Sequence, residues 1–122
     1  MKQIKISHEV PIELLNESLT FNDYEYILVH LLDKQPQYKE FYKNAKQHNR
    51  SSLLDCSTFE LGFSYDIDRY IEKIIEIQPT EYIIPDVLEN QLETCRRAEQ
   101  FFQKAEKANL KKYYNGRCIG VI

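Results

Sequence analysis

The sequence predicts an α/β fold in which parallel strands alternate with helices. Three observations carry that expectation. Short aliphatic runs recur at "YILVHLL" (26–32), "SSLLD" (51–55), "EYIIP" (81–85) and "CIGVI" (118–122). Stretches with helical periodicity separate them. The first run is continuously apolar, as in a strand buried on both faces of a parallel sheet.

The elements follow in chain order. Residues 1–25 stand outside the rhythm and read as a capping segment: "KQIKIS" as a short strand, "PIELLNESL" as a helical turn under the sheet. The first strand is 26–32. Pro36 suits the first turn of a helix, and Tyr38, Phe41, Tyr42 and Ala45 follow at helical spacing. After the strand "SSLLD", Ile67, Tyr70, Ile71, Ile74 and Ile75 fit one helix face, which Pro79 terminates. "EYIIP" is the third strand. Asn90 with Glu93 three residues later marks a capped helix start. Leu92, Cys95, Ala98, Phe102 and Ala105 form the expected inner stripe of that helix. Gly116 breaks the chain before the fourth strand. Four strands joined through helices imply right-handed crossovers. No repeat, low-complexity segment or linker divides residues 1–122, so a single domain is expected.

Composition narrows the function classes. At 122 residues, with 43% hydrophobic and 29% charged residues, the chain suits one modest soluble domain. No apolar run has the length of a membrane span, and "MKQIKISHEV" lacks the apolar core of a signal peptide. A cytoplasmic protein without membrane contact is expected. Cys56, Cys95 and Cys118 form no CxxC pair and read as reduced, mostly buried thiols. A net charge of −3 gives no global field for nucleic acid. The basic stretch 104–117 reads as favourable charge near a helix C-terminus, with a phosphate-facing patch as the alternative.

Ligands of parallel α/β folds bind outside the carboxyl ends of the strands. Asp33, Asp55 and Asp86 each follow a strand, and Ser57, Thr58, Phe59 and Glu60 lie between the last two. Asp33 reads as a cap of the next helix. Asp55 and Asp86 are the candidates for a shared pocket, where two carboxylates could hold a metal, share protons or bind the donor edge of a heterocycle. His30, Asp55 and Asp86 lack any metal-ligand spacing, so no metal and no cofactor is expected. His30 reads as a satisfied core histidine, and His8 and His48 as loop residues. Three glycines leave no room for a phosphate-cradling loop, and no Gly-x-Ser-x-Gly elbow exists.

The pair "LLDCSTFELG" and "YIIPDVLEN" resembles the queuine-type tRNA-guanine transglycosylases and their phage and DNA-directed relatives. There a strand ends in a stretch of the type Asp-Ser-Gly-Gly-Phe; here Asp55-Cys56-Ser57-Thr58-Phe59 stands in its place, with Ser57 and Thr58 where the family has glycines. The glutamate and glycine beyond Phe59 resemble uncharacterised phage members most. The resemblance covers residues 26–122. It implies a (β/α)8 barrel of which this chain supplies about four βα units, half the barrel. It also implies the family's base exchange. A carboxylate displaces guanine from the sugar carbon and a 7-deazaguanine replaces it, with the target base drawn out of its stack. By resemblance Asp55 would handle the proton and Asp86 would read the base edge. Phe59 would stack or form a wall, and Ser57 and Glu60 would complete the base contacts. No residue matches the attacking aspartate, which leaves enzymatic activity of this chain open.

Three functions therefore compete: a base-exchanging enzyme or its N-terminal part, a non-catalytic module that binds a purine-like ligand or a partner, and an unrelated open-sheet domain. Unpaired edges at "YILVHLL" and "RCIGVI" imply a homo-oligomer or pairing with a missing C-terminal half.

Overall fold

The computed structural model describes residues 3–44 and 48–121; Ala45 and Ile122, assigned above to a helix and a strand, lie outside the described residues. One sheet runs in the order β1 (Glu25–Leu28), β2 (Ser52–Asp55), β3 (Glu81–Ile83), β4 (Arg117–Ile119), with every neighbouring pair parallel. Strand order thus equals chain order. Each crossover steps in the same direction, and right-handed connections then place the crossover helices on one face. The register agrees. Ile27, Leu54 and Tyr82 sit side by side and are buried, whereas the alternate row Tyr26, Leu53 and Glu81 is only half-buried. The chain is an α/β domain with a covered and an open sheet face.

The covering layer is built from α3 (Pro36–Lys43), α5 (Ile67–Ile77) and α6 (Gln91–Lys107), with α5 touching both others. In α5, Ile67, Tyr70, Ile71, Ile74 and Ile77 are buried at helical spacing. Each such side chain contributes roughly 1.5–3 kcal/mol on leaving water. Asp66 starts this helix by accepting the Arg69 N–H at 2.9 Å. Gln78 ends it in the left-handed region, and Pro79 prevents continuation. Asn90 caps α6 by accepting the Glu93 N–H at 3.0 Å, as its spacing predicts. The Tyr70 hydroxyl lies 2.7 Å from the Ile83 carbonyl and 3.1 Å from that of Leu54, tying the ends of β2 and β3 together. Gly116 passes over the Tyr114 ring, whose hydroxyl donates to the Pro79 carbonyl at 2.7 Å. A Cβ there would strike Tyr114 and the Thr80 carbonyl, so only glycine fits.

Several expectations are corrected. The apolar run 26–32 is not one strand: β1 ends at Leu28, and α2 (Val29–Lys34) begins at once. Val29 and Leu32 are buried one helical turn apart, a spacing that a continuous apolar run conceals. His30 is therefore a helical residue, and its buried Nδ1 has no partner among the described residues. Asp33 caps nothing; it accepts a hydrogen bond from Tyr65 and pairs with Arg69 and Lys73. The inner stripe of α6 holds at Ala105, but Phe101 is buried in place of Phe102, and Leu92, Cys95 and Phe102 are exposed. Only Cys56 of the three thiols is buried; Cys95 on α6 and Cys118 on β4 are exposed.

Among the described residues the N-terminal segment forms no strand. It passes the stretch just ahead of β1, with the Ile6 carbonyl accepting the Asp23 N–H at 2.9 Å and Ser7 donating to the Tyr24 carbonyl at 2.5 Å. A short 3-10 helix (Ile12–Leu14) and α1 (Leu15–Phe21) return the chain to β1, and Val10 and Leu15 enter the core.

Candidate functional site

The carboxyl ends of β2 and β3 define the site. Asp55 is the last residue of β2, on the open face beside Leu28 of β1. Asp86 follows β3 after Pro85. Between β2 and the short helix α4 (Thr58–Leu61), the chain turns through Cys56 and Ser57. The turn forms because the Ser57 N–H donates to Asp55 Oδ2 at 2.8 Å, a side chain bonding its own backbone two residues on. Ser57 takes a left-handed conformation, φ 59°, which costs a non-glycine residue about 1–2 kcal/mol. Its fully buried hydroxyl offsets part of that cost by accepting the His30 N–H at 3.3 Å, one of the free donors at the start of α2.

Asp86 is fixed from the same turn. Its Oδ1 accepts from the Thr58 hydroxyl at 2.9 Å and from the Cys56 thiol at 3.2 Å, while Ser64 donates to its backbone carbonyl at 2.7 Å. Burial pushes the Cys56 thiol up to about 12, so Cys56 is a hydrogen-bond donor and not a thiolate nucleophile.

The electrostatics are one-sided. Burial raises the pKa of Asp55; the bond from the Ser57 N–H opposes this, and the anionic Glu60 and Asp86 add to it. Glu9, on the N-terminal segment, is also raised, by burial and then by Glu60 and Asp55. Tyr26 on the open face is raised by burial and by Asp55. Among the described residues no Lys, Arg or His pairs with Asp55, Glu60 or Asp86. The site is thus a group of carboxylates whose capacity to accept protons and hydrogen bonds is only partly used.

The structure brings Asp55, Ser57 and Asp86 to one end of adjacent strands, with Glu60 within electrostatic reach. Phe59, on α4 beside Glu60, is 79% exposed. Glu9, Tyr26, Cys56 and Thr58 complete the surroundings and were not singled out as site residues from sequence. Tyr26 shares the face of Asp55 only through the β1–β2 register. Glu9 reaches the site through the path of the N-terminal segment. Neither carries a local signal. For Thr58, a hydroxyl three residues after a strand-terminal Asp was the available clue. No group of three side chains suited to a metal occurs among the described residues, and no helix among them is long and apolar enough to cross a membrane. No protein-family model matches the chain, and neither a curated protein nor a solved structure matches it.

Proposed function

We propose that the Asp55–Asp86 end of the sheet binds the donor edge of a guanine-like base, in a half (β/α)8 barrel related to the transglycosylases that exchange guanine for a 7-deazaguanine in tRNA or DNA. The observation that carries this reading is the pair of carboxylates at the carboxyl ends of adjacent parallel strands, without a cation partner among the described residues. Guanine presents N1–H and an exocyclic amine on one edge, and carboxylates are acceptors for both. Asp86, oriented by Thr58 and Cys56, suits base reading. Asp55, with its raised proton affinity, suits proton handling. The left-handed Ser57 stands where the resembling family has glycine, the residue most at ease in that conformation. Sequential strand order supports the half barrel over a doubly wound sheet.

The test is titration with 7-deazaguanine, followed by NMR, with adenine as control. Weak binding lost in Asp86→Asn is expected; equal binding of adenine, or binding unchanged in Asp86→Asn, refutes the reading. No nucleophile is assigned in this chain, so it should not incorporate labelled guanine into tRNA or DNA. Robust turnover would require a nucleophile among Asp33, Asp55, Glu60 and Asp86.

A second reading, a non-catalytic module that assembles through its open sheet edge, is favoured by β4, all three residues of which are exposed.

A further inference from the structure

We infer that β4 pairs antiparallel with β4 of a second copy of this chain, across a two-fold axis at Cys118. The inference rests on the assembly reading above and names its partner.

The two edges of the sheet differ. The outer edge of β1 is partly covered. Ile6 and Ser7 bond Asp23 and Tyr24 just ahead of it, and the Tyr38 hydroxyl accepts the Leu28 N–H at 2.9 Å at its end; Glu25, Ile27 and Leu28 are buried. Among the described residues β4 carries no such cover, and all three of its residues are exposed. The Arg117 N–H donates to the Thr80 carbonyl at 3.1 Å, and the Ile119 carbonyl accepts the Ile84 N–H at 2.9 Å, so residues 117 and 119 turn their backbone groups toward β3. Alternation then points the N–H and C=O of Cys118 outward.

An exposed edge strand can pair with an identical one. Self-pairing about a two-fold axis is isologous, and two edge strands so related run antiparallel. With Cys118 opposite its own copy, each donates and accepts one backbone hydrogen bond. Arg117 then lies opposite Ile119 of the second copy, so no like charges meet. Arg117 is already paired with Glu81 of its own chain. Apolar side chains flank the seam and would be covered: Ile119 and Val121 are 36% and 45% exposed. On the helix side, Phe102 is half-exposed beside a cavity shared with Tyr82, Leu110 and Cys118.

The geometry gives a direct readout. Residues that exchange both backbone bonds in an antiparallel pair have Cα atoms about 5.5 Å apart, within the span of a disulfide, roughly 4.4–6.8 Å. Sedimentation of the full chain over a concentration series should show mass rising about twofold toward the dimer. Diamide, which accepts two electrons and two protons as two thiols join, should cross-link wild type and Cys95→Ser but not Cys118→Ser. Ile119→Lys should return the chain to monomer with unchanged far-UV circular dichroism. Should that variant misfold, Cys118→Pro serves instead, because it removes only an outward N–H. A dimer that persists in the folded variant, or a cross-link through Cys95, overturns the inference. A monomer at every concentration also overturns it. In that case rapid exchange of the Cys118 amide would leave the edge open for another partner, whereas a protected amide would remove the assembly reading as well.

Discussion

The two ends of the sheet treat charge in opposite ways. At the amino ends of β1 and β3, Glu25 and Glu81 each have a cation partner. Glu25, fully buried at the start of β1, is held by Arg50 at 2.7 Å, and Arg50 also donates to the Asn22 carbonyl at 2.6 Å. Glu81 of β3 meets Arg117 of β4. Ser52 and Thr80 exchange backbone and hydroxyl bonds between β2 and β3. At the carboxyl ends, Asp55, Asp86 and Glu60 crowd together with hydroxyls, a thiol and one backbone N–H, and no cation. One end spends its polar groups on holding strands together. The other keeps carboxylates in reserve at a cost to stability, the usual mark of a binding end in parallel α/β folds.

The largest expected effect breaks the compensated end. Arg50→Met leaves the Glu25 carboxylate buried without its cation and should cost about 3–5 kcal/mol, measured by urea unfolding at neutral pH. Replacing both partners, Glu25→Leu with Arg50→Met, should recover much of that loss. If the double variant is no more stable than the single one, the charge pair is not what Arg50 contributes.

A smaller effect is expected at the other end. Thr58→Val removes the hydroxyl bond to Asp86 and should cost about 1–2 kcal/mol. The same change leaves Asp86 Oδ1 with only the Cys56 thiol, so ligand affinity should change more than stability does. Equal, minor effects on both would place Thr58 outside the site.

The smallest effect carries the opposite sign. Asp55 binds its proton more tightly in the folded chain than in the unfolded one. Stability attributable to it therefore falls as pH rises from the ordinary carboxylate range through the raised value. Asp55→Asn keeps an acceptor for the Ser57 N–H and removes that fall, so the variant should be slightly more stable than wild type at neutral pH. Asp33 and Glu76 act in the other direction. Burial alone would raise them, but Tyr65 and Lys73 bonded to Asp33, and Lys39 and Lys73 beside Glu76, lower both. Their contribution is present above the ordinary carboxylate range and is lost as pH falls through the lowered values. Melting temperatures of wild type and Asp55→Asn across acid to neutral pH check both signs; identical profiles would mean that Asp55 is not strained.

Local chemistry was legible where one residue type has one use. Asn90 with Glu93 is a helix start wherever it lies, Pro79 ends α5, and the isoleucine spacing of α5 permits only one buried face. Asp55 and Asp86 announced themselves as strand-terminal carboxylates. The failures share a cause. "YILVHLL" is apolar but for His30, and such a run suits a buried strand and a buried helical turn equally. The α6 stripe missed by a fraction of a turn, because Phe101 and Phe102 are adjacent and equally apolar, and only the position of β3 and α5 decides which ring faces inward.

The sequence by itself determined the alternation of strands and helices, the helix caps and the carboxylates that close two strands, because each depends on residues a few positions apart. The tertiary structure alone decided the rest. It set the sequential strand order, the register that puts Tyr26 and Asp55 on one face, and the docking of the N-terminal segment just ahead of β1 while β4 stays exposed. It also sealed Cys56 and exposed Cys95 and Cys118. These depend on pairings between residues far apart in the chain, whose energies arise only when the whole core is assembled and water is excluded.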